Sequence, residues 1–135
     1  MKRTEVKKVI RGRGRGKRLG FPTLNFSLEK DEKVKRGVWV VILETKSGYF
    51  PGVANVGRPE TFLEKKEAIE VHLLFRPQEK IKEARIIFLK YLRKTKKFND
   101  IKDLKKQIKK DIEQAISFFR KEHKRARTLN IPSSF

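Results

Sequence analysis

Residues 38–56 read Val-Trp-Val-Val-Ile-Leu-Glu-Thr-Lys-Ser-Gly-Tyr-Phe-Pro-Gly-Val-Ala-Asn-Val. The first eight, Val38–Thr45, are mostly apolar and β-branched, a composition that fits a pleated, buried strand. Lys46-Ser47-Gly48 then supplies turn residues. Tyr49–Val56 returns as the second arm of a hairpin, so the centre of the chain reads as antiparallel β-structure.

The same signals extend outward. Residues 5–11 are expected to form a short first strand that ends at a glycine-rich loop, and Thr23–Leu28 a second. Glu29–Arg36 reads as a charged loop and Gly57–Lys66 as another. Ala68–Phe75 alternates, with Ile69, Val71, Leu73 and Phe75 on one face. Arg76-Pro77 breaks that strand, and Ala84–Leu92 makes a last one. The period then changes: Ile101, Leu104, Ile108, Ile112, Ala115, Ile116 and Phe119 recur at steps of three and four, which specifies an amphipathic helix. Asn99 or Asp100 can cap it, and Asp103 lies in its first turn. The helix is expected over about residues 100–126, with 127–135 as a tail. Six strands and one helix predict a mainly β single domain over residues 1–135. Its architecture is a closed or nearly closed antiparallel barrel with the helix packed on it.

Composition narrows the chemistry. The 36 Lys and Arg residues against 16 Asp and Glu give a net charge of +20 over 135 residues. That balance favours polyanionic partners, although lysines spread along the whole chain are also what a solvated surface looks like. Absence of cysteine excludes disulfides, thiolate catalysis and thiolate-bound zinc. No apolar run approaches a membrane span, and no apolar signal region follows the basic N-terminus. A cytoplasmic protein with no membrane partner is expected.

One segment stands apart. Gly12–Phe26 holds four glycines, four cationic side chains and a Pro-Thr-Leu-Asn cluster. Glycines let backbone N–H groups approach an anion, and Lys and Arg add phosphate donors. Thr23 and Asn25 offer neutral oxygens, suited to a hard cation such as Mg²⁺. They share one side of a strand. The spacing is neither a Walker A loop nor a dinucleotide fingerprint. The Gly-Arg tract alone also fits a flexible RNA-binding arm; the Pro-Thr-Leu-Asn extension favours a structured site. Glu70 faces away from Ile69, Val71 and Leu73, and His72 shares its side. By itself Glu70 fits either a general base or a surface ion pair. His72 fits a structural hydrogen-bonding partner, and Trp39 fits the core. Asn55 either braces a loop or shapes a turn.

Four blocks in order bear a resemblance to the riboflavin kinase family. They are Gly14–Asn25, ending Leu-Gly-Phe-Pro-Thr-Leu-Asn; Gly52-Val53-Ala54-Asn55-Val56-Gly57 with Thr61-Phe62; Glu70-Val71-His72 with Leu73-Leu74-Phe75; and Phe88–Phe98 followed by Leu104–Asp111. The resemblance covers about residues 9–116. It implies a six-stranded Greek-key barrel with a C-terminal helix, and an ATP:riboflavin 5′-phosphotransferase yielding FMN and ADP. By position it assigns Gly12, Gly14, Gly16, Lys17 and Thr23 to the nucleotide, Thr23 and Asn25 to Mg²⁺, and Glu70 to the base. Arg93, Lys96 and Ile101 fall on the flavin side. Arg93-Lys94-Thr95 stands where the family has Arg-x-Glu, Lys80–Glu83 lacks the family's Tyr-Gly, and Pro59-Glu60-Thr61-Phe62 replaces Arg-Pro-Thr-Phe. No adenylyltransferase module precedes the blocks, so FAD synthesis is not expected. A monomer is expected, with nucleic-acid binding at most nonspecific. The rival readings are a small basic barrel that binds RNA or single-stranded DNA, and a flavin-binding protein without kinase activity.

Overall fold

A computed structural model describes residues 2–10, 20–60 and 66–128, without the side chains of 126–128. The described residues form β1 (Lys2–Arg3), β2 (Lys7–Lys8), β3 (Thr23–Ser27), β4 (Gly37–Thr45), β5 (Gly48–Gly57), β6 (Ala68–Leu73), β7 (Glu83–Arg93) and α1 (Ile101–Thr128). All pairings are antiparallel, in the order β1-β7-β4-β5-β6-β3, with β2 also on β7. The central meander β4-β5-β6 is rejoined by β7 beside β4, which is the Greek-key arrangement. The 38–56 hairpin lies at its heart, in continuous register from Gly37 opposite Val56 to Thr45 opposite Gly48.

The N-terminal strand expected over residues 5–11 is displaced and split. Arg3 pairs with Ile87 and Lys7 with Ala84, so four steps along one segment oppose three along β7. The extra residue is a bulge. Thr4 causes it: its Oγ1 accepts the Ile86 N–H at 3.0 Å, where a main-chain carbonyl would otherwise sit. Counted as one bulged strand, β1 and β2 bring the total to the six expected. The segment then reaches across to β3, where the Ile10 N–H donates to the Asn25 carbonyl at 2.8 Å. Among the described residues that bridge is isolated, so the sheet curls to a barrel shape without closing.

Two apolar layers explain the near-continuous hydrophobicity of β4. Val41 and Leu43 point into the barrel with Phe26, Val56, Ile69 and Phe88. Val40 and Val53 point out and are covered by Leu104, Ile108, Ile112 and Ala115 of α1. A strand covered on both faces loses the polar alternation of a half-exposed one. Trp39 is partly buried against the inner core, with Phe88 and Tyr91 edge-on to its ring. Asp100 caps α1 by accepting the Lys102 N–H at 2.8 Å.

Two expected core positions are not core. Strand β6 ends at Leu73, and Phe75 is 51% exposed. Its would-be neighbour strand carries Pro51, which has no N–H to extend the ladder. Phe75 instead meets Phe50 at a ring separation of 6.1 Å. Ile101, the first residue of the helical stripe, is 45% exposed, because α1 reaches the sheet only from Leu104 onward.

Candidate active site

Register across three strands assembles a polar patch on the outer face of the barrel. Thr23 of β3 pairs with His72 of β6, and Asn25 pairs with Glu70. Glu70 in turn lies opposite Asn55 of β5. The period of two that sends Ile69, Val71 and Leu73 into the core sends Glu70 and His72 to this face together. Thr23 Oγ1 lies 2.9 Å from His72 Nδ1, and His72 Nε2 lies 3.2 Å from Glu70 Oε1. The Thr23 hydroxyl also has the Phe21 carbonyl within reach at 3.1 Å. The His72 side chain is 6% exposed and that of Glu70 24%, so the carboxylate is the accessible end of the chain.

The patch opens into a shallow, partly open cleft between the sheet and α1. Its walls are apolar, from Val38, Val53, Leu104 and Ile108, with Asn55, Glu60, Glu70, His72 and Asp111 as polar points. Apolar walls with a few placed polar groups are the usual make-up of a small-molecule site.

A second cluster holds this cleft in shape. Arg93, at the end of β7, pairs with Asp111 of α1 and with Glu60 in the segment after β5. Its Nη1 and Nη2 reach Glu60 at 2.7 and 2.8 Å, and its Nε and Nη2 reach Asp111 at 3.0 and 2.8 Å. Burial works against the Arg93 charge, but the hydrogen bonds it donates to Glu60 and Asp111 outweigh it and hold the guanidinium above the ordinary arginine value. Glu60 also accepts the Lys96 main-chain N–H at 2.6 Å, while the Lys96 side chain is exposed. Next to it, the Thr95 hydroxyl donates to Asn55 Oδ1 at 2.9 Å, and Asn55 Nδ2 donates to the Arg58 carbonyl at 3.0 Å. Asn55 therefore braces the loop after β5.

Thr23, Asn25 and Glu70 thus converge on one face. Arg93 and Lys96 meet at Glu60 on the rim of the cleft, and Ile101 opens the helix that supplies Leu104 and Ile108. Gly12, Gly14, Gly16 and Lys17 lie outside the described residues, as do Thr61 and Phe62. Sequence reasoning passed over Glu60 and Asp111. Asp111 carried a legible signal: it lies three residues beyond Ile108, next to Ile112, on the apolar stripe of α1. A charge on such a stripe requires a buried partner.

No group of three or more His, Cys, Asp and Glu side chains placed to hold a metal ion occurs among the described residues. A cation here would rest on Thr23 and Asn25 oxygens together with oxygens of a bound phosphate. Mg²⁺ accepts such a set, because it keeps water and phosphate ligands and takes few from protein.

Residues 4–119 match the Flavokinase family model, described as riboflavin kinase. The chain belongs to the riboflavin kinase family. It is 40% identical over 116 residues to the bifunctional riboflavin kinase/FMN adenylyltransferase of Bacillus subtilis, covering 82% of this chain and 37% of that protein. The Haemophilus influenzae protein of the same description is 38% identical over 114 residues, covering 83% and 37%. A solved structure titled macrolide-efflux protein from Streptococcus pneumoniae superposes with a TM-score of 0.66 at 29% identity, covering 80% of this chain and 36% of that one. The chain spans little more than a third of the length of the curated relatives named here.

Proposed function

We propose that this chain transfers the γ-phosphate of ATP to the 5′-hydroxyl of riboflavin, giving FMN and ADP. The observation that carries the reading is the Glu70 carboxylate, positioned by His72 beside Thr23 and Asn25 at the edge of an apolar cleft. Val38, Val53, Leu104 and Ile108 form the packed floor of the cleft, over which a neutral isoalloxazine ring would lie, and Ile101 adds an exposed apolar side chain at the start of α1. Arg93 and the main-chain N–H of Lys96 fix Glu60 at the rim, so the ring meets an ordered edge. Thr23 contributes to nucleotide binding with Gly12, Gly14, Gly16 and Lys17, and Thr23 and Asn25 hold Mg²⁺. When bound, Mg²⁺ neutralises phosphate charge.

In this arrangement the ribityl hydroxyl approaches the γ-phosphate in line, and Glu70 accepts its proton. Most of the acceleration then comes from holding two substrates in register and from charge neutralisation. The chain acts as a monomer in this reading. No helix of the described residues is long and apolar enough to cross a membrane.

Incubation with riboflavin, ATP and Mg²⁺ followed by chromatography tests the proposal: FMN should accumulate with time and enzyme. Flavin binding without FMN would support the catalytically inactive alternative. Salt-resistant oligonucleotide binding without flavin binding would support the nucleic-acid reading.

A further inference from the structure

His72 touches both halves of the proposed chemistry, and a neutral imidazole has only one N–H to share between them. Nε2 faces Glu70 Oε1 at 3.2 Å, and an ionised carboxylate can only accept. The ring proton therefore belongs on Nε2. Nδ1 is then an acceptor, 2.9 Å from Thr23 Oγ1, and takes the hydroxyl proton. The alternative, with the proton on Nδ1 and the Thr23 hydroxyl turned to the Phe21 carbonyl at 3.1 Å, would set the Nε2 lone pair against the Glu70 carboxylate. The ring is held in place by burial and by Phe21, whose ring lies edge-on at 6.4 Å.

We propose that His72 is a positioning residue that couples the base to the cation site: through Nε2–H it fixes the Glu70 carboxylate, and through Nδ1 it turns the Thr23 hydroxyl so that its lone pairs are presented to Mg²⁺. This inference rests on the phosphotransferase reading above. It assigns His72 no contact with substrate and no proton transfer.

Two substitutions divide the two contacts. In His72→Gln the amide nitrogen can occupy the place of Nε2 and keep the bond to Glu70, while the bond to Thr23 is lost. In His72→Asn the amide can occupy the place of Nδ1 and keep the bond to Thr23, while the bond from Nε2 to Glu70 is lost. Outer partners of a site are typically worth about 10–100-fold in affinity or activity. His72→Gln should weaken calorimetric binding of MgADP by about tenfold and lower kcat less than His72→Asn does. His72→Asn should lower kcat by about tenfold or more with the smaller change in MgADP affinity. Nitrogen-15 NMR of the wild-type ring, in its neutral form, should show Nε2 protonated and Nδ1 bare. A ring protonated on Nδ1, or two folded variants with the same loss in both measurements, overturns the inference. The NMR result decides by itself if either variant fails to fold. Absence of FMN from the wild type would instead defeat the phosphotransferase reading, so the two failures are separable.

Discussion

Arg93 and Asp111 meet in a two-point ion pair, Nε to Oδ1 at 3.0 Å and Nη2 to Oδ2 at 2.8 Å, and this pair ties the end of β7 to the middle of α1. Both side chains are largely buried, at 14% and 3% exposure. Removing the Asp111 charge leaves the Arg93 guanidinium with Glu60 as its remaining carboxylate partner. Asp111→Asn is therefore expected to lower stability by about 1–2 kcal/mol, the worth of a charge-assisted hydrogen bond. Arg93→Lys keeps the charge but cannot form both forks, to Glu60 and to Asp111, and should lose more, about 2–3 kcal/mol. Urea denaturation of both variants checks the order. Equal stability with wild type in Asp111→Asn would mean that the helix is held by its apolar stripe alone.

Gly37 supplies the close approach that lets β4 begin beside the end of β7. Its φ is +142°, and a Cβ there would lie 2.5 Å from Tyr91 Oη and 2.6 Å from the Arg93 carbonyl. Gly37→Ala should cost about 2–3 kcal/mol through strain and overpacking. A melting temperature unchanged from wild type would contradict this.

The surface pair Arg36–Glu67 gives a pH signature. The hydrogen bonds from Arg36, at 3.1 Å each, hold the Glu67 carboxyl below its ordinary value despite some opposing desolvation. A carboxyl depressed in the folded state adds stability above its unfolded pKa of about 4.5, and that stability is lost as pH falls through the folded value. Solvent screening limits the effect to under about 1 kcal/mol. Glu67→Gln should be slightly less stable than wild type at neutral pH and indistinguishable from it in strong acid. A gap that widens on acidification would contradict the sign.

Thr23→Ala and Asn25→Asp should impair turnover with MgATP while the far-ultraviolet dichroism stays native. Their shared face beside Glu70 motivates this. Losing or reshaping a ligand oxygen should cost on the order of 1–3 kcal/mol, read as a raised requirement for Mg²⁺ or a reduced kcat/KM. Wild-type kinetics in both variants would remove the metal assignment.

What was legible in the chain follows from how local each signal is. The β4–β5 hairpin and the α1 stripe are written in periodicity and turn residues within a few positions of one another, and both formed, with Ile101 alone falling outside the buried part of the stripe. The face shared by Glu70 and His72 was legible for the same reason. The N-terminal bulge was not, because it depends on the Thr4 hydroxyl replacing a main-chain acceptor for a residue 82 positions away. The Arg93 clamp joins residues 18 and 33 positions apart, and the Thr23–His72 contact spans 49. Such pairs exist only once strand register is set, and no local pattern announces them. The exposure of Phe75 had a visible cause in Pro51, but only after β5 and β6 were known to be neighbours.

The central claim is that Glu70 accepts the proton as riboflavin is phosphorylated, and single-turnover FMN formation by wild type and Glu70→Gln, at saturating substrates across pH, tests it most directly. The substitution keeps shape and hydrogen-bonding capacity but removes the basic oxygen. The predicted result is a rate lowered by about 10²–10⁴-fold, with riboflavin and MgATP still bound and the acidic limb of the pH profile gone. A Glu70→Gln protein that forms FMN at the wild-type rate would contradict the account.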